Sequence, residues 1–171
     1  MRRGLVLTGW YLVAAMIILA IPVWSSAAEF SYAGPPAFTV TFPGGSSEAD
    51  EKTDPAQVWR IEYPGGFFCD ASVAPIPEGI ALKDYPEKSY KPGLEKSVGA
   101  NSKLSENKEI TLADGNKAYY AEFSWTHPPT GTPITTMIVV SYKDGKVVTV
   151  GCHPYGDYGK YEKIVKSLKF K

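Results

Sequence analysis

The stretch Glu109–Cys152 constrains this chain more than any other: four strand-like runs joined by turns built on glycine. The runs are Glu109–Leu112, Lys117–Trp125, Ile134–Tyr142 and Val147–Cys152. Between them lie Ala113-Asp-Gly115-Asn116, the longer loop from Thr126 to Pro133, and Lys143-Asp-Gly145-Lys146. Asp-Gly between apolar alternating runs marks a tight hairpin, because a type I′ turn needs positive φ at both central residues. Three hairpins in succession predict an antiparallel meander. With Asp144 and Gly145 in the turn, Tyr142 faces Val147, Val140 faces Thr149, Val139 faces Val150 and Met137 faces Cys152. Alternation puts Ile134, Ile138, Val140, Tyr142 and Val147 on one side, and Met137, Val139, Val148, Val150 and Cys152 on the other. A sheet with one wet face would not be apolar on both sides, so each side is expected to carry a cover.

The rest of the chain offers the material for those covers. Phe38, Val40 and Phe42 alternate with Thr39 and Thr41 as a half-buried strand, and Gln57–Glu62 and Phe67–Ala74 read as two more. Pro75 and Pro77 stop the last of these, since proline cannot donate to a ladder. A helix is predicted from about Leu94 to Lys103, weakened by Gly99. A second follows Asp157, a good N-cap, with Tyr158, Tyr161, Ile164, Val165 and Leu168 at spacings of three and four. Lys160, Lys163, Lys166 and Lys169 fill the other positions and read as the solvated face of that helix. The fold class expected is α+β: an antiparallel meander with helices on both faces.

The N-terminus looks like an address. Arg2-Arg3 precede the apolar run Leu5–Val23, and Ser26-Ala27-Ala28 fits a small-x-small cleavage rule. Residues 1–28 are therefore expected to be an export signal, with a retained anchor as the alternative, since the run is close to bilayer length. Residues 29–36 read as a flexible arm and 37–171 as one domain. Removing the signal takes Arg2 and Arg3 from a chain balanced at 18 basic and 18 acidic residues. The remainder is slightly acidic, which disfavours nucleic acid and strong attraction to anionic lipid. Glu48, Asp50, Glu51 and Asp54 lack the alternation and central glycine of a calcium loop and read as a solvated acidic segment.

Several segments carry a family resemblance: Phe38-Thr-Val-Thr-Phe42-Pro43, Ala71-Ser-Val73, Leu82-Lys-Asp-Tyr85, Gly115-Asn-Lys-Ala-Tyr-Tyr120, Lys143-Asp-Gly-Lys146 and Ile164-Val-Lys-Ser-Leu-Lys-Phe170. Together they resemble the PsbP-like proteins, which include the lumenal extrinsic protein of photosystem II and the periplasmic DcrB-type proteins. The resemblance implies an α/β/α sandwich and a role in binding or assembly. It brings no catalytic residue with it. The metal-binding and membrane-facing residues of the photosynthetic members have no counterpart here.

Little in the chain suggests catalysis. Ser124 and Ser141 alternate with core residues, no Gly-x-Ser-x-Gly elbow occurs, and no glycine loop opens a helix. No enzyme activity and no cofactor are expected. Cys69 and Cys152 are the only cysteines; in an exported chain they are expected to pair, and as thiols they would be small apolar fillers. His127 and His153 are the only histidines, both on connections at one end of the meander. That end also gathers Trp125, Pro128, Pro129 and Tyr155, and binding residues favour loops on a rigid scaffold. The expected function is a non-enzymatic, periplasmic or extracellular binding or assembly factor with an envelope protein as partner. A small-ligand or metal binder using the His127/His153 edge is the alternative, with Asp157 as a further ligand, although the spacing is no ligand signature.

Overall fold

The computed structural model describes residues 27–48, 54–63, 67–154 and 158–171. These form ten strands and two short α-helices. The strands are β1 (Ala27–Tyr32), β2 (Phe38–Pro43), β3 (Ser47–Glu48), β4 (Gln57–Tyr63), β5 (Phe67–Pro75), β6 (Ser102–Thr111), β7 (Lys117–His127), β8 (Thr132–Lys143), β9 (Lys146–His153) and β10 (Lys169–Phe170). The helices are α1 (Lys91–Val98) and α2 (Tyr158–Val165); a 3-10 turn (Leu82–Asp84) and a π turn (Pro86–Tyr90) lead into α1. One sheet has the order β3-β4-β5-β9-β8-β7-β6, and a smaller one β1-β2-β10.

The meander holds the predicted register: Met137 opposite Cys152, Val139 opposite Val150, Val140 opposite Thr149 and Tyr142 opposite Val147. Asp144 and Gly145 both take positive φ, 53° and 78°, as a type I′ turn demands. Both faces are buried. Met137, Val139, Val148, Val150 and Cys152 join one core with Phe38, Trp59 and Ile164, while Ala121, Phe123, Ile138, Val140 and Val147 join the other with Tyr85 and Leu94.

The covers differ from the expected pair of helices. The first face is closed by the small sheet together with α2, and the second by the turn-rich segment Leu82–Val98. The protein is thus mostly strand, not a sandwich between helical layers. The predicted helix at Leu94–Lys103 ends early because Gly99 turns left-handed at φ 66° and its N–H returns to the Glu95 carbonyl. The Glu95 carboxylate then accepts from the Ser102 backbone at 2.7 Å, and β6 starts there, seven residues before the predicted strand. Its exposed, charge-rich edge hides it from any hydrophobic period.

Residues 29–36 are not all a loose arm. β1 pairs with β2 along its whole length, Phe30 stacks on Trp59 at 5.2 Å, and Tyr32 packs on Phe38 at 5.3 Å. Apolar residues at every second position, each meeting an aromatic partner, are what hold it.

Candidate binding surface

β7 and β8 pair out to His127 opposite Thr132. Their neighbours stop sooner, β9 with Cys152 opposite Met137 and β6 with Ser102 opposite Trp125. The hairpin therefore projects past both flanking strands, by four residues beyond His153 on the β9 side, on the order of 13 Å. Its tip carries Pro128 and Pro129, both exposed. The tip is stiffened from within: Gly131 donates to the His127 carbonyl at 2.8 Å, and His127 Nδ1 lies 2.9 Å from Thr130 Oγ1.

Behind the tip one row of side chains crosses the sheet. The Arg60 guanidinium sits 4.0 Å over the Phe68 ring, and Phe68 stacks on His153 at 4.3 Å. His153 Nδ1 is 3.0 Å from Thr136 Oγ1, which accepts from Trp125 Nε1 at 3.0 Å. Burial, reinforced by Arg60, pushes His153 down to about 3, so the imidazole is neutral near pH 7. With Thr136 accepting from the indole, its own hydrogen is free for His153 Nδ1. The row braces the root of the hairpin from β4 to β7. Beside it a groove of about 530 Å³ opens between Ala100–Lys103 and the hairpin residues Trp125, Pro133 and Ile134.

The next row is also polar. Gln57 Nε2 donates to Asp70 Oδ2 at 2.9 Å. Burial pushes Asp70 up to about 6, against the Gln57 hydrogen bond and Arg60. Burial and then Asp70 also raise Tyr90. Gly151 leaves the room: a Cβ there would lie 3.0 Å from Asp70 Oδ1 and 3.3 Å from the Tyr90 hydroxyl.

These two groups oppose each other in acid. Asp70 binds its proton more tightly folded than unfolded, so its contribution is full below about 3.8 and is lost as pH rises through about 6. His153 binds its proton less tightly folded, so its contribution is full above about 6.5 and is lost as pH falls toward about 3. Asp70→Asn should therefore gain about 3 kcal/mol over wild type at pH 7.5 and almost nothing at pH 3.5. Urea denaturation across that range checks this; a constant difference between the two proteins would disprove it.

Of the residues the sequence singled out, Trp125, His127, Pro128 and Pro129 share the hairpin, and His153 joins Trp125 through Thr136. His127 and His153 are each held by a different threonine, and among the described residues no group of three His, Cys, Asp or Glu could hold a metal. Tyr155 and Asp157 lie outside the described residues. Cys69 and Cys152 are opposite one another on β5 and β9 and are bonded. Arg60, Phe68 and Thr136 were missed. Arg60 is the only arginine after Arg3, and a Cys69–Cys152 pair in register places Phe68 opposite His153, so both left a signal.

No protein-family model and no curated protein matches the sequence. Solved structures do. Cyanobacterial PsbP (CyanoP) from Synechocystis sp. PCC 6803 superposes with a TM-score of 0.68 at 12% identity, over 89% of this chain and 96% of that one. The Ran-binding protein Mog1p of Saccharomyces cerevisiae gives 0.60 at 10% identity, over 85% and 95%. Identities this low speak for architecture alone, and the architecture of this chain is the PsbP-like fold.

Proposed function

We propose that this is a non-enzymatic protein-binding or assembly factor working outside the cytoplasm, with an envelope protein docking at the β7–β8 tip. The observation that carries the reading is the projecting hairpin. It presents two prolines and its root is braced by the Arg60–Phe68–His153–Thr136–Trp125 row. A stiff loop loses little freedom on docking, and Trp125, part-exposed beside the groove, is an anchor of the type that dominates interfaces. A fold neighbour, Mog1p, is a Ran-binding protein. The extracytoplasmic part is supported by the signal-like residues 1–28 and by the Cys69–Cys152 bond, which suits an oxidising compartment.

Photo-crosslinking residues placed at Pro129 or Thr130 should give a discrete protein adduct in cells. The same residue at Lys146, in the β8–β9 turn, should not. Equal adducts at all three positions, or none at the tip, would refute the docking site. The groove beside Trp125 carries a second reading, a small ligand. A metabolite-dependent thermal shift abolished by Trp125→Ala would favour it.

A further inference from the structure

We infer that the outer face of the small sheet, with α2, rests on an anionic lipid surface. β1, β2 and β10 turn Phe30, Phe38, Val40 and Phe170 inward. Their alternate residues, Glu29, Ser31, Thr41 and Lys169, therefore face outward. Lys171 continues past β10, its N–H bonded to the Ala37 carbonyl and its Nζ 2.6 Å from Ser31 Oγ. α2 adds Lys160 and Lys163, both exposed. Glu162 turns elsewhere, toward Lys166 and Lys108. Four lysines thus meet two acidic side chains, Glu29 and Asp114, and the Asp114 carboxylate is engaged by the Phe170 N–H at 2.6 Å. Among the described residues no ion pair ties Lys160, Lys163, Lys169 or Lys171 to an acid. The balanced net charge conceals a basic face, and the lysine series is not one helix's wet side, since Lys169 belongs to β10.

A groove of about 330 Å³ opens on this face, its walls Ala27, Phe42, Pro43 and Ile164 and its rim Lys160 and Lys163. Cations around an apolar floor suit a phospholipid headgroup and the first carbons below it. Position supplies the second argument. Only Trp24, Ser25 and Ser26 separate Ala27 from Val23, the last residue of the apolar run Leu5–Val23. Four Cα steps reach at most about 14 Å. While that run occupies a bilayer, Ala27 and the groove beside it are held within that distance of the headgroups. The field of anionic lipid decays over about 8–10 Å at moderate salt, a length of the same order as that tether, so a short approach of the face brings the lysines into it. No helix among the described residues is long and apolar enough to cross a membrane. It does not depend on the β7–β8 tip.

The test is amine acylation, read residue by residue by mass spectrometry. The full chain is reconstituted in vesicles of phosphatidylcholine alone or mixed with phosphatidylglycerol. Lys160, Lys163, Lys169 and Lys171 should react about fivefold more slowly in the anionic vesicles, and high salt should restore their rates. Lys83 and Lys96, exposed on the opposite cover, should not change. Equal rates in both vesicles would overturn the assignment, as would equal slowing at Lys83 and Lys96. Protection by polyglutamate but not by phosphatidylglycerol would give the face to an acidic protein instead, and also overturn it.

Discussion

Replacing Cys69 and Cys152 together by alanine is expected to cost about 2–5 kcal/mol of folding stability. The bond closes a loop spanning 83 positions, and most of the effect should arise in the unfolded chain, whose freedom the cross-link restricts. It joins facing residues of β5 and β9, and both cysteines are fully buried in the core shared with Met137 and Val150. The double variant should unfold at lower urea and with a steeper slope, because its unfolded state is more open. Reducing agent should lower the wild type toward the variant and leave the variant unmoved. A loss below 1 kcal/mol, or a variant still sensitive to reductant, would contradict the account. A domain stable by about 5–15 kcal/mol would be left marginal.

Phe38→Ala should cost about 3–5 kcal/mol. Phe38 is 0% exposed at the start of β2, the middle strand of the small sheet, flanked by Tyr32 of β1 and Phe170 of β10. Its ring is 6.2 Å from Phe30 and 5.3 Å from Tyr32. Truncation leaves a cavity where the small sheet meets the large one. Amide exchange should therefore quicken first in β1 and β10, ahead of β8 and β9. Tyr142→Ala is the contrast: Tyr142 is apolar by alternation but 46% exposed, and should cost no more than about 0.5 kcal/mol. Comparable losses for the two would mean that the small sheet carries little of the fold.

How far residues announce their place depends on what enforces it. Lys143-Asp144-Gly145-Lys146 sets a register by local chemistry, and every pair counted from it is found. The two-sided apolar pattern of Ile134–Tyr142 likewise announced two covers. Their nature was illegible, because Phe170 lies far along the chain from Phe30 and Phe38 and joins them in one surface only through pairing. β6 escaped notice for a related reason: an edge strand such as Lys103–Glu109 buries too little to need alternation. The histidines shared one end of the sheet by connectivity, yet their different depths, one at a tip and one beneath Phe68, follow from how far β7 and β8 outrun β9.

The pairing of β1 sets an order of events. Ala27 lies opposite Pro43, Ala28 opposite Phe42 and Glu29 opposite Thr41, so the bond expected to be cut, Ala28–Glu29, sits inside a laddered strand. Proteins that bind an extended peptide take it up as an added strand, through its backbone groups, and those β2 has already claimed. Cleavage and closure are then rivals for the same short segment. A cut made early leaves Glu29–Tyr32 to pair afterwards; a domain that zips first shields the bond and keeps its tether. The race between folding and processing, more than the residues around the cut, would decide whether the mature protein roams free or stays moored.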